Sequence, residues 1–341
     1  MPLTNPTAGD VHVNVPLTNY AQKYLQNADN FIAGRAFPNA PVAKQSDKYY
    51  VFDKGDFYRD EAAIRADGTE SVGSGFNLST DTYFADVRAF HKDVTDRQRA
   101  NQDAAVQLDN SATQYVMHKL LISRERVFAT EAFGTSIWGT DFNVNSSGAA
   151  LWNAANSRPI EEIRDGKRTV HTNTGFNPNK AIIGRGTYDA LLDNDDILGR
   201  INGGATTALP AMVQRQRLAE ILELDEILVM NGVYNSAEEG AADSMSLIGN
   251  DGMLLYYAPS TLGLNEPTAG AQFSWTGYMG ATKNGMRIKR FRMDALESDR
   301  IEGDMAFDFK VTGADLGYFF HSTMIVTGKR LIRIPFLVAP M

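Results

Sequence analysis

The residues able to do chemistry are scattered rather than assembled. The 341-residue chain has no cysteine, which removes thiolate nucleophiles, thiolate metal sites and disulfides together. Its five histidines, His12, His91, His118, His171 and His321, show no metal-ligand spacing. Gly184-Arg185-Gly186 has the start of a dinucleotide loop, but Asp189 stands where the third glycine belongs, and its charge would oppose a pyrophosphate. No Walker loop, His-Glu-x-x-His pattern or nucleophile elbow occurs. Asp193, Asp195 and Asp196 lack the glycine of a calcium loop and read as solvated or intersubunit charge. Lys283, Arg287, Lys289, Arg290 and Arg292 form the one basic run, which reads first as pairing with acidic neighbours or plain solvation and second as DNA contact. The expectation is therefore no catalytic residue, no cofactor and no metal.

What remains is non-covalent chemistry. Arg59, Asp60, Glu61, Arg65, Asp67 and Glu70 mix both signs within one polar stretch. Mixed charge of this kind sets register and partner choice more than affinity. The stretch joins two strand-like runs, Lys48–Tyr58 and Tyr83–Lys92, so residues 46–94 are expected to form an extended hairpin with a charged tip. An isolated hairpin is marginal in water and needs another surface. With Tyr49 and Phe57, the six charged residues are the candidates for contact between subunits.

The elements that must position this hairpin follow in order. Residues 1–45 read as an arm rich in Pro, Asn and Ala, with a strand-like His12–Val15 and a helical stretch near Tyr20–Asn27, either wrapping its own subunit or also crossing to a neighbour, the latter favoured by its length. Thr95–Phe133 reads as one long helix of roughly 55–60 Å. Thr95 and Gln98 have capping-box spacing, Ala112, Val116, Leu120 and Val127 form an apolar face, and Gly134 marks the stop. Asp109-Asn110-Ser111 is the place where that helix could break. Residues 135–156 read as loop. Ser157-Arg158-Pro159 opens a helix with Ser157 as N-cap, and Gly175 closes it. Buried strands near 180–184, 226–230 and 253–257 alternate with helices near 188–194, 196–201 and 210–224, a compact α/β unit. The remainder is β-rich over 286–293, 299–311 and 316–320, with an apolar tail at 331–338.

Composition bounds the class. Hydrophobic residues make up 43% of the chain, ample for two subdomains. No apolar run approaches about 18 residues, so no membrane span is expected, and the first residues carry no secretory signal pattern. The net charge of -8 does not suit a chain whose main task is gripping DNA.

The order of these parts resembles the major capsid proteins of tailed bacteriophages with the Hong Kong 97-type fold. The likeness runs over about residues 75–340. It rests on Asn110–Phe133 with Arg124-Glu125-Arg126, on Trp152 followed by Pro159-Ile160-Glu161-Glu162-Ile163, and on Phe176-Asn177-Pro178-Asn179-Lys180 leading into Ala181–Gly184. Leu218–Leu224 before Ile227-Leu228-Val229, Asn235 to Gly240, and Leu254–Pro259 complete it. The resemblance implies an α+β fold with an N-terminal arm (1–45), an extended hairpin or E-loop (46–94), a peripheral domain with a long spine helix and β-sheet (95–179), an axial α/β domain (180–285) and a β-rich return to the peripheral domain (286–341). It further implies self-assembly into hexamers and pentamers of an icosahedral head, built in the host cytoplasm and enclosing DNA without sequence-specific contact. The hairpin begins near Lys48 and leaves no room for a scaffolding propeptide in this chain, so a separate scaffolding protein, or removal of a propeptide before this form, is implied, and a decoration protein is compatible. No lysine, asparagine and carboxylate set matches the crosslinking pattern of some relatives, so no covalent crosslink is expected. A bacterial nanocompartment shell and a soluble α/β metabolite enzyme are the alternatives.

Overall fold

Ala112, Val116, Leu120, Phe128 and Ala132 recur at helical spacing, and all are buried on one face of a helix running Leu108–Ala132 in the computed structural model. The structure describes residues 25–101, 107–147, 150–201, 215–263, 266–279 and 285–324. The helix has 25 residues and is about 37 Å long, shorter than the single helix expected from Thr95. The capping box does form: Thr95 Oγ1 accepts from the Gln98 backbone N–H and the Gln98 side chain accepts from that of Thr95. It opens a separate five-residue helix, Asp96–Ala100, which ends at Asn101. Arg99 bridges the two helices through ion pairs to Asp109 (2.6 Å) and to Asp299 (3.0 Å). A second helix does start at this point, at Leu108, one residue before Asp109-Asn110-Ser111.

The described residues fall into two units, each assembled from segments distant in sequence. In the first, β13 (Ser298–Val311) is the hub of a five-stranded sheet. It pairs antiparallel with β4 (Asp86–Thr95), β11 (Gly270–Trp275) and β12 (Met286–Met293), while β1 (Asn39–Val42) runs parallel to β11. The long helix packs on β13 where the strand carries Gly303. A Cβ there would lie 2.7 Å from Leu120 Cδ1 and 2.8 Å from Val116 Cγ1, so only glycine admits this approach.

The chain before β1 also belongs to this core. Phe31, Ile32, Ala33, Ala36 and Phe37 are buried, and the Phe37 ring meets Phe128 edge-on at 5.4 Å. Residues 31–42 thus pack their apolar side chains on their own subunit. The strand-like His12–Val15 and most of the Tyr20–Asn27 stretch lie outside the described residues. Glu125, wholly buried on the long helix, accepts from the Ala33 N–H at 2.8 Å. Burial pushes its pKa up to about 7, against hydrogen bonds from the Ala33 and Ile32 backbone and the nearby Arg124 guanidinium.

Two strands differ from their sequence reading. β2 (Ser46–Phe52) stops early because Asp53 accepts from the Gly55 N–H and caps a helical turn, Lys54–Phe57. Its partner β3 (Leu78–Phe84) begins earlier than Tyr83, and after Phe84 the chain leaves the hairpin as β4 to join β13.

The second unit holds a mixed sheet in the order β5-β14-β10-β6-β7, with β5 at Thr140–Asn143, β14 at Gly317–His321, β10 at Met253–Tyr256, β6 at Lys180–Gly184 and β7 at Glu226–Met230. β5 arises where loop was expected, pairing in parallel with β14. Four helices, Pro159–Thr174, Arg185–Leu192, Asp195–Ile201 and Arg215–Leu222, accompany the sheet around a core that includes Trp152, Ile163, Leu191, Leu218 and Phe320. Residues 210–214 of the expected 210–224 helix, and the tail at 331–338, lie outside the described residues. Gly175 ends the first of these helices in the left-handed conformation, as expected. Its start is a correction: Arg158 occupies the N-cap, and Ser157 is buried, donating to the Ala154 carbonyl and accepting from Asn194. A short ribbon of β8 (Val233–Asn235) and β9 (Met245–Leu247) completes the strands among the described residues.

Two outcomes follow from the packing at β13 and at Glu125. Gly303→Val is expected to lower unfolding free energy by about 1–3 kcal/mol through overpacking against Val116 and Leu120; an unchanged denaturation midpoint would refute the close contact. The folded pKa of Glu125, about 7, exceeds its unattached value of 4.5, so its stabilising share is complete below pH 4.5 and is lost as pH rises through 7. Between pH 4.5 and 8 the wild type should lose about 3 kcal/mol relative to Glu125→Gln, read from urea titrations. Parallel pH profiles for the two proteins would contradict this.

Candidate assembly interface

β2 and β3 pair antiparallel from Ser46 opposite Phe84 to Phe52 opposite Leu78, and no third strand joins them among the described residues. A two-stranded ribbon has two faces and covers neither by itself. Tyr50, Phe52, Leu78 and Phe84 are all exposed on it, Tyr50 to 65%. The root is nevertheless fixed. The Tyr83 ring stacks on Phe273 at 4.5 Å and 8°, and Tyr49 stacks on the same ring at 5.5 Å. Tyr49 donates to Asp81 at 2.8 Å, and the Phe84 N–H donates to Asp308 at 2.9 Å. Burial and the Asp81 carboxylate push the Tyr49 hydroxyl pKa upward.

The tip is ordered around Asp56, whose side chain is only 3% exposed. Its Oδ2 accepts from both the backbone and the side-chain nitrogen of Asn77, at 2.8 and 3.0 Å, and its Oδ1 meets Arg59 at 3.1 Å. These bonds close the mouth of the loop that runs between Asp56 and Asn77. Phe52, Phe57 and Phe76 cluster beside it, with ring centroids 5.5–6.1 Å apart.

Of the eight contact candidates, the structure brings together Arg59 and Glu61, at 4.0 Å. Arg65 donates to the Thr69 carbonyl. Asp60, Asp67 and Glu70 are exposed around the same loop, and Phe57 stands in the aromatic cluster. Tyr49 is set apart at the root, packed on its own chain. Within the loop itself charge drew attention, and the apolar side chains that crown it were missed. Ile64 and Val72 are isolated within polar sequence and fully or largely exposed, and Phe76 and Tyr58 are exposed beside them. An isolated Ile or Val inside a Gly-, Ser- and charge-rich loop was the available signal.

The other candidate chemistries find structural roles. Arg287 and Lys289 reach Asp304 at 2.9 and 2.7 Å, Arg290 reaches Asp299 at 2.8 Å, and Arg292 reaches Asp96 at 2.5 Å. The described part of the basic run is therefore paired within its own subunit; Lys283 lies outside the described residues. Burial opposes ionisation of Asp304, but hydrogen bonds from Lys289 and Arg287 hold its pKa below the usual carboxylate range. Gly184 and Gly186 let the chain pass against Asn250, whose carbonyl oxygen would lie 2.6 Å from a Cβ on Gly184. Among the described residues no group of three His, Asp or Glu is arranged to hold a metal, and no helix is long and apolar enough to cross a membrane.

Comparison with known proteins bears on the same question. The family model for phage major capsid protein E matches residues 138–288. The major capsid protein of Burkholderia phage BcepMu is 25% identical over 313 residues, covering 90% of this chain and 95% of that protein. Among solved structures, a phage-related protein from Bordetella bronchiseptica matches with TM-score 0.65 at 18% identity, over 91% of this chain and 97% of its own. The capsid of the myovirus XM1 matches with TM-score 0.56 at 10% identity, over 94% and 99%. A ribbon rooted on its own sheet with an uncovered apolar tip accompanies a phage capsid fold, and along nearly its whole length this chain is similar in sequence to phage major capsid proteins.

Proposed function

We propose that many copies of this chain form hexamers and pentamers that tile an icosahedral phage head around double-stranded DNA, with the Hong Kong 97-type division of labour. The observation that carries this reading is the hairpin: fixed at Tyr49 and Tyr83, ordered at Asp56, and apolar on surfaces its own chain leaves uncovered. In this reading the ribbon is the E-loop and lies over an adjacent subunit, where Ile64, Val72 and Phe76 find burial and Asp60, Asp67 and Glu70 set register. The unit around β13 acts as the peripheral domain with the Leu108–Ala132 helix as its spine, and the unit around β10 acts as the axial domain. Its role is mechanical and needs no catalytic group, cofactor or covalent crosslink. Assembly takes place in the host cytoplasm on a separate scaffolding protein, and a decoration protein is compatible with the outer surface.

The energetics favour this use of modest contacts. A stable interface buries on the order of 1,000 Å² or more. A subunit in a closed shell has several, and each closure makes the next contact intramolecular. A nanocompartment shell would use the same geometry; the phage sequence relatives favour the DNA-filled head.

Deleting Arg59–Gly75 is expected to leave a folded, soluble subunit, because Tyr83, Phe273 and Asp308 hold the hairpin root independently of the tip. Closed shells should then be absent by electron microscopy. Normal shells from the deletion would remove the hairpin from the account.

A further inference from the structure

Two groups of cations in the first unit sit in contrasting environments. On β12 and β13, Arg287, Lys289, Arg290, Arg292 and Arg300 each have a carboxylate within ion-pair distance. On the outer face of the long helix the pattern reverses. Between Asp109 and Glu131 the helix carries a single carboxylate, Glu125, and that one is buried. Tyr115, Lys119, Ser123, Arg126 and Thr130 follow one another at intervals of four, four, three and four residues and so share one face. Lys119 and Arg126 are exposed and have no carboxylate partner among the described residues. Aromatic rings hold these cations in place instead. Lys119 and Lys92 of β4 both lie 5.6 Å from the Tyr115 ring centroid, and Arg126 lies 4.7 Å from that of Tyr234.

We infer that this helix face, with Lys92, Lys119 and Arg126 as its charges, binds the phosphate backbone of double-stranded DNA without reading bases. The chemistry fits a polyanion on three counts. The face offers cations and hydroxyl donors, the groups that contact phosphates. From Tyr115 to Thr130 it extends about 22 Å, which matches roughly six or seven base pairs of duplex. Its charge is positive on a chain whose net charge is -8, and among the described residues these cations have no carboxylate partner. A few contacts per subunit give weak binding, which lets DNA slide during filling while the array of subunits sums the attraction. The inference rests on the DNA-filled shell for the source of the duplex, and it identifies this face as the one turned inward.

The test uses the full-length chain and a 30-base-pair duplex of mixed sequence, with fluorescence anisotropy measured across a salt series. Wild type should bind, and two duplexes of unrelated sequence should bind equally. Lys92→Gln/Lys119→Gln/Arg126→Gln should bind about tenfold or more weakly, with the slope of log K against log salt shallower by about 2–3. Arg217→Gln, on the exposed side of another helix, should match wild type. An unchanged slope and affinity in the triple variant, or no duplex binding by wild type, overturns the inference. Electron microscopy of the triple variant separates this from the shell reading. Shells that form while duplex binding is weakened support it. Shells lost while duplex binding is unchanged assign the face to a neighbouring copy and overturn it. Failure of wild type to form any shell would count against the head itself, whatever the duplex result.

Discussion

A two-stranded ribbon cannot bury both of its own faces, and that constraint governs this molecule. β2 and β3 supply each other's backbone hydrogen bonds; one face packs Tyr49 and Tyr83 on Phe273 at the root, and the other, with Tyr50, Phe52, Leu78 and Phe84, is left open. Tyr50, Phe52, Leu78 and Phe84 along the strands, then Ile64, Val72 and Phe76 at the tip, are left in water. At about 25 cal/mol per Å² of apolar surface, covering such side chains is favourable. A surface of this kind on an otherwise well-packed protein marks a contact site. In the proposed shell, assembly would draw on the same source of free energy as folding, the first completing what the second leaves undone.

The rest of the first unit holds the ribbon at a defined angle so that its apolar surface is presented rather than collapsed. β13 is the common partner. It carries β4, which continues directly from the ribbon, and it offers Asp308 to the Phe84 N–H at the point where the two part. Gly303 brings the long helix down on the same strand, and Phe273 of β11 receives both Tyr49 and Tyr83. Ion pairs then distinguish the two sides of this framework. On β12 they fasten the edge strand and the Asp96–Ala100 helix through Asp96, Asp299 and Asp304. On the helix face the cations have rings for neighbours and, among the described residues, no carboxylate partners.

Much of this was legible in the sequence, for reasons that can be traced to particular residues. The apolar series Ala112, Val116, Leu120 and the continuous runs at Ala181–Ile183 and Ile227–Met230 gave helix and buried strands, because period and burial are local properties of sequence. The Thr95–Gln98 capping box was also readable, but the stop at Asn101 was not. It accompanies the Arg99 bridge to Asp109 and Asp299, and Asp299 is two hundred residues away. The same limit applies to Ser157, which has N-cap chemistry but is bonded to Asn194 and Ala154 in the core. β5 was invisible for a related reason: Thr140–Asn143 has little strand character alone and gains it by pairing with β14. In the hairpin, charge marked the right loop, while the cue for contact lay in isolated apolar residues that a charge-based reading passes over.

The most direct measurement is a high-resolution electron cryomicroscopy map of particles assembled from the intact chain. The account predicts closed shells in which the loop from Arg59 to Gly75 rests on an adjacent copy, with Ile64, Val72 and Phe76 removed from solvent at that contact. Closed shells in which these three side chains remain in solvent, or a chain that stays monomeric under assembly conditions, would contradict it.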